Sequence, residues 1–331
     1  MNRAQFGAKQ AVEVCVGVKR GDMVVVIKDK QNLKETSFIE EAVKKIGGQL
    51  KTFVLEEIGP RPLKSLPSEI LTEIKKADAA FICVQYFQDE LISVLLMIGG
   101  LVKKNKVKIA FMFDLSEELL RQGMAVDYQK IKEFSYKLYG RLKEAKKVQV
   151  KTDRGSDFLV ELGYKWKVSD GFPEPGKWVN LPGGEVLTAP KNINGRIVID
   201  GLIEEFNQPR FGLLNDYPIS VDLKNGYAVR ESIKCKNRDL KRFLEKNLFE
   251  RDKNASRVGE FAFGTNIYLK KLIGNLTQDE KFPTVHIAFG DPHGPATGAP
   301  WKSEIHMDAL ILEPTAWVDG KIIMKEGKYT A

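Results

Sequence analysis

The stretch Asp22-Met23-Val24-Val25-Val26-Ile27-Lys28 decides the fold class of the N-terminal half. Its run of β-branched residues is typical of a strand that is buried on both faces. The amphipathic segment 36–46, which follows it, predicts a helix, and Gly47-Gly48 closes that helix. A buried strand followed by an amphipathic helix is the unit from which parallel sheets are built.

The same alternation of strand and helix continues to about residue 150. The sequence predicts strands at 51–55, 79–84 and 108–113, and helices near 68–76, 89–102 and 128–144. We therefore predict an α/β domain with a mainly parallel sheet over residues 1–150. Because neither GxGxxG nor GxxxxGK[ST] follows the first strand, this half is interpreted as a scaffold or dimer platform.

After residue 150 the sequence has short apolar runs separated by Gly, Pro and Asn. This pattern predicts an α+β domain over residues 151–331, and that domain contains every candidate metal ligand. Its strand candidates are 157–162, 197–200, 218–222 and 227–233, and its one clear helix is 237–249.

Composition limits the possible functions. The chain has 331 residues, of which 43% are hydrophobic, and this allows two domains with sizeable cores. No apolar run approaches the roughly 18 residues of a membrane span, and the N-terminus does not resemble a signal peptide, so we expect a cytoplasmic protein. Cys15, Cys83 and Cys235 are far apart and odd in number, which argues against a disulfide framework or a thiolate metal site.

The net charge of +8 raises the possibility of nucleic-acid binding, but its distribution does not favour it. Residues 1–150 have 26 basic and 19 acidic side chains, whereas residues 151–331 have 26 and 25. The densest basic segment, 103–108, has no interleaved aromatic residues on which bases could stack. We therefore expect neither a nucleic acid nor a membrane as partner.

All three histidines, His286, His293 and His306, fall within 21 residues near the C-terminus. Side chains of an extended segment alternate between faces, so Glu304, His306 and Asp308 are expected on one face. The opposite face, with Ile305, Met307 and Ala309, is expected to belong to the core. An imidazole beside a carboxylate suits divalent Zn, Co, Mn or Fe. The cluster therefore predicts a metal site bound through nitrogen and oxygen.

Two glutamates stand in apolar surroundings and could join this site. Glu185 is the only ionisable residue in 180–190, and Glu260 lies between hydrophobic residues. A buried carboxylate requires a cation or several hydrogen-bond donors. Glu185 could accept backbone N–H bonds in a turn and Glu260 could pair with Arg257, whereas a metal centre would explain both glutamates together.

Four motifs stand in order in this half: Asn180-Leu181-Pro182-Gly183-Gly184-Glu185-Val186, Gly259-Glu260, His286-Ile287-Ala288-Phe289-Gly290 and His306-Met307-Asp308. Together they resemble the M29 metallo-aminopeptidases, the aminopeptidase T and aminopeptidase S group. The N-terminal half is compatible with that family without being diagnostic. The resemblance implies that two divalent metals, Zn, Co or Mn, are bound by Glu185, Glu260, His286, His306 and Asp308, in an exopeptidase that forms a homodimer.

The leading interpretation is therefore a cytoplasmic aminopeptidase that hydrolyses peptides with a free N-terminus. Two metals would lower the pKa of a shared water and polarise the scissile carbonyl. Glu260, preferred over Glu304, would transfer the proton. His293 occupies the position where the family has a tyrosine, and it could stabilise an oxyanion, orient substrate or bind metal.

Two alternatives remain open. A related metal-site fold occurs in 2,5-dihydroxypyridine dioxygenases, and a mononuclear Fe(II) ring-cleaving enzyme would need only His286, His306 and Asp308. It would leave Glu185 and Glu260 without a role. The other alternative is a non-enzymatic metal- or peptide-binding protein whose basic N-terminal half docks an acidic partner.

Overall fold

The computed structural model describes residues 1–87, 90, 98, 101, 103–205 and 211–330, so most of the predicted helix 89–102 lies outside the described residues. The chain forms two compact units. Unit 1 comprises Met1–Lys132 and Ser169–Gly183, and unit 2 comprises Glu133–Val168 and Gly184–Ala331. The division at residue 150 stays a sequence-based prediction.

Unit 1 contains a five-stranded sheet in which each pair of neighbouring strands is parallel. Its order is β2-β1-β3-β4-β8, and β3 is buried along its whole length, as the β-branched and apolar runs predict. The α/β prediction is confirmed. The edge strand β8 was not predicted, because it is only three residues long. The strands are β1 (Met23–Lys28), β2 (Gln49–Val54), β3 (Ala79–Cys83), β4 (Lys108–Phe111) and β8 (Trp178–Asn180).

Three of the predicted helices of this half are observed, and the helical segments 3–16, 55–58 and 117–124 were not predicted. The helix Leu33–Ile46 begins before the predicted start and ends at Gly47, whose φ of 81° gives the left-handed cap that glycine favours. The other helical segments are Arg3–Lys9 with the π-helix Gln10–Val16, Leu55–Ile58, Ser68–Lys76, Glu117–Leu119 with the π-helix Leu120–Met124, and Tyr128–Leu142, which ends in unit 2.

Unit 2 has an eight-stranded sheet of antiparallel pairs and a six-stranded sheet. One hydrophobic core contains residues of both, such as Val160 and Ile197 from the first and Phe261 and Ile287 from the second. The first sheet has the order β13-β12-β10-β6-β5-β17-β18-β19 and comprises β5 (Lys147–Lys151), β6 (Asp157–Glu161), β10 (Asn192–Ile199), β12 (Ile219–Lys224), β13 (Tyr227–Ala228), β17 (Thr315–Val318), β18 (Lys321–Lys325) and β19 (Lys328–Tyr329).

The second sheet has the order β11-β16-β15-β14-β9-β7. It comprises β7 (Lys167–Ser169), β9 (Glu185–Thr188), β11 (Ile203–Glu205), β14 (Val258–Gly264), β15 (Val285–Gly290) and β16 (His306–Ile311). The helical segments of unit 2 are Arg230–Ser232, a 3₁₀-helix, and the α-helices Arg238–Phe249, Leu276–Asp279 and Gly294–Thr297.

The α+β prediction for the C-terminal part is also confirmed, with one local error. Of the predicted strand 227–233 only Tyr227–Ala228 forms a strand, because the chain turns into the 3₁₀-helix Arg230–Ser232. The helix Arg238–Phe249 agrees with its prediction, and Asn237 caps it by accepting hydrogen bonds from two backbone N–H groups. Among the described residues, no helix is long and apolar enough to cross a membrane.

Candidate metal centre

The register of the six-stranded sheet places the predicted ligands on one face. Glu260 of β14 is opposite Ala288 of β15, and Ala288 is opposite Asp308 of β16. Directly opposite residues of antiparallel strands share a face. Glu260 and Asp308 therefore point to the same side of the sheet, and the small Ala288 between them leaves room for other groups.

The other predicted ligands follow from the two-residue period of a strand. His286 lies two residues before Ala288, and His306 lies two residues before Asp308. Glu185 of β9 is opposite Gly264. Gly264 and Glu260 are an even number of positions apart along β14, so these two positions are on the same face of the sheet. All five side chains that the motifs singled out are therefore brought to one face.

The opposite face of these strands is apolar, as predicted. Ile305, Met307 and Ala309 belong to the hydrophobic core. Glu304, however, precedes the strand, which begins at His306, and it is exposed. The expectation that Glu304 shares the site face is wrong.

Glu260 lies at the centre of the cluster. Its Oε1 is 3.3 Å from His286 Nε2, and its Oε2 is 3.6 Å from His293 Nε2 and 3.9 Å from His306 Nε2. Two donors that are each about 2.1 Å from one ion are at most about 4.2 Å apart. Each of these pairs is therefore close enough to bind a common ion. Arg257, the partner considered from sequence, instead lies over the ring of Trp301, 3.5 Å from its centroid.

His306 is oriented by the backbone. Its Nδ1 lies 2.9 Å from the carbonyl oxygen of Asp291, to which the Nδ1–H form donates, and this leaves Nε2 as the ring nitrogen that could bind a metal. Asp308 Oδ2 is 3.7 Å from that Nε2. Asp308 Oδ1 is buried and has no hydrogen-bond partner among the described residues, which is the state expected of an atom that binds a metal or substrate.

The donor atoms form three overlapping triplets among the described residues. None contains both His286 and His306. The structure therefore does not place in one triplet the three donors expected for a mononuclear site, which are His286, His306 and Asp308. Glu280 was not anticipated from the sequence. The triplets are Glu260, His293 and His306; Glu185, Glu260 and His286; and Glu280, His286 and Asp308.

A buried lysine completes the cluster. Lys281 is fully buried, and its Nζ donates to Glu185 Oε1 at 2.6 Å and also contacts Glu280 Oε1. The carboxylate of Glu185 therefore has a cationic partner in the protein. Sequence reasoning missed Lys281, because Glu280 and Lys281 look like solvated residues next to a short helix. The sequence feature that could have indicated Lys281 is the position of this residue, five residues before His286.

These contacts change the protonation of the metal-free centre. Burial would raise the pKa of Glu185, but Lys281 and His286 hold it below its usual range. Burial raises the pKa of Glu280 to about 8 in spite of Lys281. Burial would lower the pKa of His286, but the carboxylates of Glu185 and Glu260, which lie 3.6 and 3.3 Å from its Nε2, raise it to about 10, so this ring is protonated at pH 7.

His293 and Asp308 have different environments. Partial burial of the ring and repulsion by His306 lower the pKa of His293, so its ring is neutral at pH 7 and able to bind a metal. Burial raises the pKa of Asp308 to about 6 against the effect of His306. His293 has a left-handed backbone with φ of 51°, and 48% of its side chain is exposed, so it presents an accessible ring at the edge of the cluster.

The raised pKa of His286 predicts a pH dependence for the metal-free protein. In the unfolded chain this pKa is about 6.5. The stabilisation from protonated His286 is therefore complete below about pH 6.5 and is lost as the pH rises through about 10. We expect the melting temperature of chelator-treated protein to fall more steeply between pH 7 and 10 than that of His286→Gln. Parallel pH profiles would contradict this assignment.

Comparison with known proteins identifies the family. A family model described as NicX, 2,5-dihydroxypyridine 5,6-dioxygenase, matches residues 7–331. The chain belongs to this family. None of the curated proteins compared with it gives a significant match.

Two solved structures share the fold of the whole chain. The 2,5-dihydroxypyridine dioxygenase of Pseudomonas putida KT2440 superposes with a TM-score of 0.73 at 17% identity, covering 100% of this chain and 98% of that one. AmpT of Thermus thermophilus superposes with a TM-score of 0.66 at 17% identity, covering 99% of both. At this identity the matches show a common fold alone, so the M29 resemblance is correct for the scaffold without being specific.

The family match and the clustered donors together support a metal-dependent enzyme on an M29-like scaffold. They favour the dioxygenase alternative over the aminopeptidase interpretation, because the family model matches nearly the whole chain. Neither comparison confirms aminopeptidase activity.

Proposed function

We propose that the protein is a mononuclear Fe(II) dioxygenase that cleaves the ring of a dihydroxypyridine. One structural observation supports a single ion. Lys281 pairs with Glu185 and Glu280, and each of these belongs to one of the two triplets that contain His286. The remaining triplet, Glu260, His293 and His306, has two histidines and one carboxylate, the donor set of non-haem Fe(II) oxygenases.

These donors fit iron, since they are nitrogen and oxygen atoms that leave coordination positions open. When bound, Fe(II) would supply the redox chemistry by which both atoms of O₂ enter the product as the bond between ring carbons 5 and 6 breaks. His306 would hold the ion through Nε2, since Asp291 fixes its other nitrogen. His293 would complete the set from a half-exposed loop at which the substrate can enter. Asp308 Oδ1, which has no protein donor among the described residues, would accept a proton from a substrate hydroxyl.

The direct test is anaerobic loading with Fe(II), followed by metal analysis and an oxygen-uptake assay with 2,5-dihydroxypyridine. We expect about one iron per chain and one O₂ consumed for each substrate molecule opened. Two tightly bound ions per chain, with no oxygen uptake, would overturn the proposal.

We expect His293→Ala to lower the affinity for Fe(II) by at least about ten-fold and to reduce oxygen uptake accordingly, because it removes one of three donors. Isothermal titration with Fe(II) under anaerobic conditions measures the affinity. Lys302→Ala is the control, since it changes an exposed residue near the same loop and is expected to bind iron normally. Normal iron content in His293→Ala would show that His293 is not a ligand.

A dinuclear aminopeptidase is the second candidate, because one observation favours it. The two oxygens of Glu260 face different histidines, Oε1 towards His286 and Oε2 towards His293 and His306. A carboxylate placed in this way can bridge two ions. Two Zn, Co or Mn ions per chain, with release of N-terminal residues from peptides, would support this candidate. The homodimer and the cytoplasmic location remain predictions.

A further inference from the structure

Lys281 places an ammonium group inside the cluster of carboxylates. Its side chain is fully buried, its Nζ lies 2.6 Å from Glu185 Oε1, and it also pairs with Glu280 Oε1. An ammonium has three donors and no acceptor, so it can bind several carboxylates as a metal ion does. Lys281 therefore occupies the position of a counter-ion within the protein.

The backbone holds this lysine in place. Lys281 N donates to the carbonyl of Gln278 at 2.9 Å, and Asn266 N donates to the carbonyl of Lys281 at 2.9 Å. The turn also packs directly on Gly264, where a Cβ atom would lie 2.7 Å from the carbonyl carbon of Lys281. These contacts hold the backbone of Lys281 beside the end of β14, and its side chain is buried among the residues of the cluster.

The ammonium opposes a second metal in two ways. It occupies Glu185 Oε1, an oxygen that a metal would otherwise use. Its positive charge also repels a divalent cation bound to His286, since Glu185 Oε2 lies only 3.6 Å from His286 Nε2. The triplet of Glu260, His293 and His306 contains no residue bound to Lys281.

We propose that Lys281 restricts the centre to one divalent ion, held by Glu260, His293 and His306, because its ammonium takes the place of a second ion beside Glu185. Lys281 is thus a positioning residue that determines metal stoichiometry. This inference rests on the proposed one-iron function. It extends that function by naming the Lys281 ammonium as the feature that separates one-metal from two-metal chemistry on a shared fold.

The test is the number of Co(II) ions bound per chain, measured by equilibrium dialysis with metal analysis of the full-length protein. We expect one ion in the wild type and two in Lys281→Met, with the affinity for the second ion raised at least about 100-fold by loss of the opposing charge. Lys281→Arg, which keeps the charge, is the matched control and is expected to bind one.

The outcomes separate the two proposals. Two ions in the wild type would overturn the one-iron function itself. One ion in both the wild type and Lys281→Met would leave that function standing and overturn the role of Lys281.

If Lys281→Met fails to fold, the double variant Glu280→Gln/Lys281→Met is used as well, because it leaves one fewer carboxylate without a counter-charge. Both variants are refolded in the presence of Co(II), and the ions bound per chain are counted again. Two ions in the refolded protein support the inference, and one ion, or failure to fold even with Co(II), overturns it.

Discussion

Glu260→Gln is expected to lose metal binding almost completely, with the dissociation constant raised by more than about 100-fold. Glu260 is the residue that faces all three histidines, with separations between 3.3 and 3.9 Å. An amide has nearly the same shape as a carboxylate but lacks its charge and is a poor metal ligand. Iron analysis after anaerobic loading and gel filtration measures the loss, and oxygen uptake should disappear with it.

The control for this variant is Glu304→Gln. Glu304 is exposed and lies outside β16, so the same chemical change there is expected to leave iron content unchanged. Stoichiometric iron in Glu260→Gln would exclude this carboxylate as a ligand and, with it, both the one-metal and the two-metal centre described above.

Gly264→Ala is expected to have the largest effect on stability. A Cβ atom at this position would lie 1.9 Å from the carbonyl oxygen of Phe282 and 2.7 Å from the carbonyl carbon of Lys281. Both are backbone atoms, so no side-chain rotation relieves the clash. We expect the free energy of unfolding to fall by about 3 kcal/mol or more, measured by urea unfolding of the metal-free protein.

Gly140→Ala provides the comparison within the same unit. Gly140 lies in the helix Tyr128–Leu142, and a Cβ there would meet no atom within 4 Å. We expect it to be neutral or to stabilise the protein by up to about 1 kcal/mol, because alanine is the better helix former. Equal destabilisation by both variants would contradict the steric explanation.

Much of the fold is visible in the sequence because its signals are local. The apolar run that became β1 predicts a buried strand, and its alternation with helices predicts the parallel sheet. The alternation at His306 and Asp308 also correctly places Met307 and Ala309 in the core. Such patterns depend only on neighbouring residues, so a single sequence is sufficient to read them.

The start of β16 could not be predicted in the same way. Ser303 Oγ and Glu304 N both donate to Asp252 Oδ2, at 2.7 and 2.8 Å, and this contact holds the chain outside the sheet. Asp252 is about fifty residues away in sequence, so no local pattern indicates that the alternation begins only at His306.

The sequence by itself determined the two fold classes and the residue types of the centre, because strand periodicity and the spacing of His, Asp and Glu are properties of short segments. Only the tertiary structure shows which donor atoms lie close enough together to bind a common ion. The pair between Glu185 and Lys281 joins residues 96 positions apart, and the contact of His293 with Glu260 depends on a left-handed loop residue. Strand register and turn packing fix these distances, and both arise only when separate segments fold together.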